Sequence, residues 1–155
     1  MDAEVYAVTV CVLIQRGDTW LLVVRAPTVA YAPNTIGMIG GHVEVARPQA
    51  EVLEATARRE VAEEVGLDLS EVGLRYLESE FFLTDAGERQ ITVTFTAQAP
   101  AEIEPFVNAP EELVEVGWWT FDDLEADPRC PSWLPALIRR AAVASRQASD
   151  RAPPY

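Results

Sequence analysis

The sequence predicts an α/β fold in which a mixed β-sheet packs against helices. Three observations support this class. The 155 residues correspond to one domain, runs of Val, Ile and Thr alternate with turn residues, and two segments have the apolar spacing of amphipathic helices. We expect residues 1–148 to form a single domain and residues 149–155, which include Ala-Pro-Pro, to form a flexible tail.

The strands are expected where β-branched and aromatic residues lie between turns. Gly17 and its polar neighbours separate the first two runs, and the turn around Gly87 separates a later pair, so both pairs are interpreted as hairpins. The predicted strands cover residues 5–14, 20–24, 74–83, 90–98 and 113–120, with a short apolar stretch at residues 36–39.

Two helices are expected, over residues 48–65 and 132–148. Pro48 suits the first turn of the first helix because its missing N–H costs nothing there, and Gly66 suits the position after the last turn. The apolar face of the second helix would consist of Leu134, Leu137, Ile138 and Ala141.

The charge of the chain is strongly acidic, with 12 Lys and Arg against 25 Asp and Glu and a net charge of −13. Such a field repels a phosphate backbone and an anionic membrane surface, so neither a nucleic-acid duplex nor a membrane is expected as a partner. An anionic small molecule would need a metal cation or an Arg cluster. Two cysteines make no disulfide framework, and no leader or long apolar span stands out, so a cytoplasmic location is expected.

The first helix places carboxylates where apolar side chains are expected. At about 100° per residue, Glu60 and Glu64 lie beside the apolar stripe. That stripe consists of Leu53, Ala57, Val61 and Val65. Buried carboxylates are rare without partners, and like charges four residues apart repel. Two interpretations are open, namely a divalent cation bound by the carboxylates or a solvated acidic helix end.

The residues around this helix resemble the Nudix hydrolase signature, G-x5-E-x7-R-E-U-x-E-E-x-G-U, where U is a bulky aliphatic residue. The matching positions are Gly41, Glu51, Arg59, Glu60, Val61, Glu63, Glu64, Gly66 and Leu67. From Glu51 onward every fixed position is matched. Nine residues separate Gly41 from Glu51 where the signature has five, so four extra residues lengthen the loop that enters the helix.

This resemblance implies an α/β/α sandwich with a mixed sheet. It also implies hydrolysis of a pyrophosphate bond in a nucleoside diphosphate derivative by a water that attacks phosphorus. The implied cofactor is Mg²⁺, with Mn²⁺ as a substitute, and the implied partner is a small nucleotide, with a homodimer also compatible with the family. By matching positions, the metal ligands would be the backbone carbonyl of Gly40 and the side chains of Glu60, Glu63 and Glu64. Arg59 would orient the glutamates through an ion pair.

The resemblance also implies a general base and a set of substrate-binding residues. The general base is sought first at Glu111 and Glu112, and next at Glu63. The expected substrate-binding residues are Arg25, Gly41, His42 and Phe82.

The substrate is suggested by residues 80–84, which lack the proline typical of relatives that prefer ADP-ribose and the tyrosine typical of those for dinucleoside polyphosphates. This favours nucleoside triphosphates or modified nucleotides, with ADP-ribose and nucleotide sugars as alternatives. A non-catalytic domain that senses nucleotides or mediates an interaction is the alternative function.

Overall fold

The computed structural model of the chain describes residues 3–100 and 102–151. In this part of the chain one mixed sheet carries helices on both faces, which confirms the predicted α/β/α class. The strands are β1 (Ala7–Arg16), β2 (Thr19–Arg25), β3 (Ile36–Gly37), β4 (Ile39–His42), β5 (Arg75–Leu83), β6 (Arg89–Gln98) and β7 (Leu113–Thr120). The helices are α1 (Val52–Val65), α2 (Phe121–Ala126) and α3 (Leu134–Asp150).

The sheet has the strand order β3-β2-β1-β6-β5, with β4 paired to β1 and β7 paired to β2. The β1–β6 pair is parallel and runs from Ala7 opposite Gln90 to Gln15 opposite Gln98, whereas the other pairs are antiparallel. Strand β4 enters at the edge of β1 and places Gly41 opposite Val10. This insertion brings the glycine pair, Gly40 and Gly41, next to the face of the sheet that α1 covers.

Side chains on successive strand residues point to opposite faces, so β1 contributes to two cores. The core beneath α1 includes Val10, Val12, Ile39, Ala57, Val61 and Val65. The core beneath α2 and α3 includes Leu13, Leu22, Trp119, Leu124, Leu134 and Ile138. Three of the four apolar residues expected to line the second helix are fully buried, and Leu137 is 4% exposed.

Helix α1 begins four residues later than its sequence indicated, so the prediction of Pro48 in its first turn is wrong. Glu51 precedes the helix with φ 52° and ψ 39°, a left-handed conformation that a right-handed helix cannot include. The four extra residues therefore extend the loop and not the helix. Gly66 ends the helix with φ 70°, as expected for a glycine at this position.

Helix α2 was not predicted from the sequence. It is six residues long and begins with a capping box, in which Asp123 N–H donates to Thr120 Oγ1 at 3.1 Å and Thr120 N–H donates to Asp123 Oδ2 at 3.4 Å. Such a short helix presents too few turns for a periodic apolar pattern.

Helix α3 runs two residues beyond the predicted end, so Ser149 and Asp150 of the expected tail are helical. Residues 152–155 of that tail lie outside the described part of the chain. Across the described ranges, none of the helices combines the length and apolar character needed to cross a bilayer.

Candidate active site

Helix α1 buries two carboxylates against the sheet. Glu60 is 9% exposed and Glu64 is 7% exposed, and they lie on the same side of the helix as the fully buried Ala57 and Val61. The helical phase predicted from the sequence is therefore confirmed for both residues. Buried carboxylates need compensating partners, and the surrounding backbone supplies part of that compensation.

The glycine pair in β4 allows the strand to approach these carboxylates. A Cβ atom on Gly41 would lie 2.3 Å from Cδ of Glu60, and a Cβ atom on Gly40 would lie 2.3 Å from the carbonyl oxygen of Val10. Neither position has room for a larger residue. The backbone N–H of Gly40 donates a hydrogen bond to Oε2 of Glu64 at 3.3 Å.

Arg59 links the helix to β4 and contacts its neighbouring glutamates. Its Nη1 atom lies 2.8 Å from Oε1 of Glu60 and 3.2 Å from Oε2 of Glu63, and its Nη2 atom donates to the carbonyl of His42 at 3.1 Å. The Glu63 side chain remains 58% exposed. Glu60, Glu63 and Glu64 form a carboxylate cluster on this helix. Glu63 lies at the rim of the cluster, whereas Glu60 lies inside it.

The buried carboxylates are difficult to ionise. Burial raises the pKa of Glu64 to about 8, and the charges of Glu60 and Glu112 add to the effect, while the Gly40 N–H and Arg25 oppose it. Burial also raises the pKa of Glu60 above its ordinary value, against the attraction of Arg59. Among the described residues, Arg59, Arg25 and the Gly40 N–H therefore offset the effect of burial on these two pKa values only in part.

The thiol of Cys11 lies directly beneath the glycine pair, because a Cβ atom on Gly40 would come within 2.9 Å of its sulfur. Burial raises the pKa of Cys11 to about 12, so the thiol stays protonated at neutral pH. Cys11 is partly buried and packs against the backbone of Gly40.

Arg25 lies at the end of β2 and closes the loop that follows. Its Nε donates to the carbonyl of Tyr31 at 2.8 Å, and its guanidinium lies 5.6 Å from the centre of the Tyr31 ring. Its charge lowers the pKa of Glu64, which places it within electrostatic range of the carboxylates. In the described part of the chain it forms no ion pair, so its Nη atoms remain available to an anionic ligand.

The two glutamates expected to supply the general base differ in their surroundings. Both are exposed, and the charge of Glu112 raises the pKa of Glu60 and of Glu64. The carbonyl of Glu112 accepts a hydrogen bond from the backbone N–H of Ala26 at 2.7 Å. Glu111 makes no side-chain hydrogen bond or ion pair within the described ranges and is not among the charges that act on these carboxylates.

The remaining predicted substrate residues lie at different distances from the carboxylates. His42 is exposed at the end of β4, next to the glycine pair. Phe82 is half-buried on β5 and pairs with Gln90. Two strands separate β5 from β4, a distance of about 14 Å at the usual strand spacing. The structure does not bring Phe82 into the carboxylate cluster.

Two residues of this region were not selected from the sequence. The charge of Glu44 raises the pKa of Glu60. Asn108 donates from its backbone N–H to the carbonyl of Glu64 and from its side chain to the carbonyl of Ala62. Forty-six residues separate Asn108 from Ala62, and no local pattern in the sequence signals such a contact.

A hard cation is the kind of metal ion that the oxygen atoms of this site would suit. Among the described residues no group of three His, Cys, Asp or Glu side chains is arranged around one point. Two carboxylates with one backbone carbonyl suit Mg²⁺, because this ion keeps several of its waters when proteins bind it. Glu60, Glu64 and the carbonyl of Gly40 are the groups that could contribute, with Glu63 at the rim.

Comparisons with known proteins relate the chain to others of this architecture. A family model described as NUDIX domain matches residues 5–140. The chain is 35% identical over 137 residues to the NAD-capped RNA hydrolase NudC of Deinococcus radiodurans, an alignment that covers 86% of this chain and 43% of that protein. It is 34% identical over 128 residues to the protein of the same name from Stutzerimonas stutzeri, covering 82% of this chain and 41% of that protein. The chain thus spans less than half the length of these curated relatives.

Solved structures show the same fold. The MutT NUDIX hydrolase from Burkholderia pseudomallei has a TM-score of 0.64 at 26% identity, covering 77% of this chain and 87% of that chain. The NUDIX domain of Shewanella oneidensis NrtR, complexed with ADP ribose, has a TM-score of 0.72 at 21% identity, covering 92% of this chain and 90% of that chain. The resemblance found in the sequence motif is therefore confirmed over most of the chain. The protein belongs to the NUDIX domain family.

Proposed function

We propose that this chain hydrolyses a pyrophosphate bond in a nucleoside diphosphate linked to a second moiety, with Mg²⁺ as cofactor and Mn²⁺ as a substitute. The observation that carries the proposal is the burial of Glu60 and Glu64 beside the glycine pair with incomplete cationic compensation. Uncompensated buried charge is costly. A divalent cation, brought together with a diphosphate, would supply the missing positive charge.

The metal ligands in this proposal are the carboxylates of Glu60 and Glu64 and the carbonyl of Gly40, with Glu63 contributing from the rim. When bound, the metal would neutralise charge on the diphosphate and lower the pKa of a coordinated water. Arg59 keeps the Glu60 carboxylate in place through its 2.8 Å contact. This arrangement leaves the glutamates oriented before the substrate arrives.

Two further side chains would act on the substrate and the water. Arg25 would bind a phosphate oxygen through its Nη atoms, because Tyr31 already accepts the hydrogen bond from its Nε. A carboxylate oxygen of Glu112 would accept the proton from the attacking water. Glu112 is preferred to Glu111 because its charge acts on both buried carboxylates. Glu63 is the next candidate.

The substrate is proposed as a small nucleotide. The two curated relatives are named for hydrolysis of NAD-capped RNA, and the NUDIX domain of NrtR is complexed with ADP ribose. Both ligands contain a nucleoside diphosphate joined to another group, and the triphosphates favoured by residues 80–84 have the same anhydride chemistry. Since a net charge of −13 repels a long polyanion, we expect the nucleotide portion alone to be turned over at least as well as capped RNA.

A non-catalytic nucleotide-binding domain is the second candidate. The complex of the NrtR domain with ADP ribose supports nucleotide binding by this fold. Under this alternative the chain would bind ADP-ribose or a nucleoside triphosphate in the presence of Mg²⁺ without releasing a cleavage product.

A substrate panel with Mg²⁺ separates these functions. The purified chain is incubated with NAD, ADP-ribose, deoxynucleoside triphosphates, oxidised deoxynucleotides, dinucleoside polyphosphates, nucleotide sugars and NAD-capped RNA, and the products are separated by chromatography. Reaction in ¹⁸O-labelled water identifies the phosphorus that is attacked. We expect cleavage of at least one nucleotide by the wild type, and cleavage at least about 100-fold slower by Glu64→Gln. Binding without cleavage of any compound would favour the second candidate.

A further inference from the structure

The loop formed by residues 102–112 is fixed to the C-terminal end of α1. Phe106 N–H donates to the carbonyl of Val65 at 3.1 Å, and Asn108 N–H donates to the carbonyl of Glu64 at 2.9 Å. The side-chain amide of Asn108 donates to the carbonyl of Ala62 at 3.2 Å. The last carbonyls of a helix have no partners within the helix. This loop supplies partners to the carbonyls of Val65 and Glu64, and Glu64 is a proposed metal ligand. It also adds a second donor to the carbonyl of Ala62, which already accepts from Gly66 N–H at 3.1 Å.

The same end of the helix is shaped to accept the loop. Gly66 adopts φ 70°, and a Cβ atom placed on it would lie 2.2 Å from Cε1 of Phe106. The aromatic ring therefore packs directly on the glycine backbone. Gly66 therefore ends α1 and also contacts the loop through the ring of Phe106.

The path from Asn108 to Glu112 is short and held at both ends. Ala109 is buried, and its carbonyl accepts hydrogen bonds from Glu112 N–H and from Leu113 N–H, both at 2.9 Å. The carbonyl of Glu112 in turn accepts from Ala26 N–H at 2.7 Å. Asn108 is thus the last residue of the loop that is hydrogen-bonded to α1 before the chain reaches Glu112.

We propose that Asn108 is a positioning residue, which fixes Glu112 relative to the carboxylates of α1 by tying the loop to the carbonyls of Ala62 and Glu64. This inference rests on the proposed function, in which Glu112 accepts a proton from water. The side-chain amide is the part that a substitution removes, because the backbone N–H to Glu64 persists in any residue except proline. Asn108→Ala therefore loosens the loop without removing a group that touches substrate.

The test compares Asn108→Ala with a matched substitution in the same loop. Glu104→Gln removes the negative charge from the 2.8 Å ion pair between Glu104 and Arg16, which lies at the other end of the loop, away from α1. We expect Asn108→Ala to lower kcat by roughly 10-fold with KM changed by less than about 2-fold, as for displacement of a reacting group. Glu104→Gln is expected to leave both constants unchanged. Asn108→Asp, which keeps the shape but cannot donate to Ala62, should behave like Asn108→Ala.

A double-mutant cycle with Glu112→Gln distinguishes positioning from a general structural role. If Asn108 acts through Glu112, Asn108→Ala causes no further loss of kcat in the Glu112→Gln background. Equal losses in both backgrounds, or an unchanged kcat in the single variant, would overturn the inference while leaving the proposed hydrolysis intact. An unchanged kcat in Glu112→Gln alone would also overturn the inference, because Glu112 would then not be the proton acceptor. Failure of the wild type to cleave any nucleotide would instead reject the proposed function. Thermal unfolding confirms that each variant is folded before its rates are compared.

Discussion

The backbone nitrogen of Gly40 lies 3.3 Å from Oε2 of Glu64, across 24 residues of sequence. This hydrogen bond favours the charged form of the carboxylate, but burial and neighbouring acids outweigh it and raise the pKa of Glu64 to about 8. The protein alone therefore leaves Glu64 mostly protonated at neutral pH. Under the proposed function, a divalent cation would supply the positive charge that favours the ionised form of Glu64.

Loss of the Glu64 charge is expected to abolish most of the activity. Glu64→Gln should lower kcat/KM at least about 100-fold, because the charge that would bind the metal is removed while the shape is kept. Initial rates with the best nucleotide substrate measure the effect. Glu63→Gln, at an exposed rim position, provides the matched comparison and should lose less. Full activity in Glu64→Gln would contradict the assignment of the ligand.

The same substitution is expected to stabilise the metal-free protein. The folded state raises the pKa of Glu64, so the carboxylate costs stability as pH rises from about 4.5 to about 8 and the unfolded chain ionises first. Glu64→Gln removes that cost and should raise the free energy of unfolding by about 1 kcal/mol, or Tm by roughly 3 °C, at pH 8 in EDTA. Thermal unfolding at pH 5 and pH 8 should show the advantage growing with pH. A constant difference across this range would argue against the buried-charge explanation.

Enlarging Gly41 is expected to displace Glu60. In Gly41→Ala the new methyl group would lie 2.3 Å from Cδ of Glu60, so the Glu60 carboxylate must move away from β4. We expect unfolding to become easier by about 1–3 kcal/mol and kcat to fall at least roughly 10-fold. Gly73→Ala is the control, since nothing lies within 4 Å of a Cβ atom there. Equal behaviour of the two variants would show that the close approach is not required.

Arg25 is expected to contribute to substrate binding through its guanidinium. Arg25→Lys keeps the charge but loses the fork that reaches both Tyr31 and a phosphate, so KM should rise by about 10-fold with a smaller change in kcat. Steady-state kinetics separate the two constants. Arg89→Lys, in an exposed ion pair with Glu4, is the control and should leave KM unchanged. An unchanged KM in Arg25→Lys would remove Arg25 from the binding site.

The pair of Asp127 and Arg129 is expected to stabilise the fold near α2. The Arg129 guanidinium, which donates to both carboxylate oxygens at 3.0 and 2.8 Å, lowers the pKa of Asp127 to about 2. A lowered pKa contributes stability above the unfolded value of 3.8 that is lost as pH falls through about 2. Asp127→Asn should cost about 1 kcal/mol at pH 7. Unfolding followed from pH 7 to pH 2 should show the difference disappearing at the acid end.

Local patterns were sufficient to predict most of the fold. The β-branched residues of the sequence predicted β1, β2, β5, β6 and β7, and Gly66 predicted the end of α1. The start of α1 was placed wrongly because Pro48 is equally compatible with a loop, and the left-handed backbone of Glu51 has no signature in a single sequence. Helix α2 was missed because it is too short to show a periodic apolar pattern. Its start is marked only by the cap between Thr120 and Asp123.

The candidate site was predictable where its residues share one helix. Helical phase alone identified Glu60 and Glu64 as buried, because positions four residues apart lie on one side. Contacts between distant segments were not accessible in this way. The tie between Asn108 and Ala62, and the separation of Phe82 from the carboxylates, follow from sheet order and loop path, which a linear pattern does not encode.

Strand β1 pairs with β2, β4 and β6, and its two faces contribute to both cores. Its parallel partnership joins Ala7 to Gln90, so it closes a large part of the chain into one loop. Both layers pack against β1, so opening of this strand would disturb the carboxylate layer and the layer beneath α3 together.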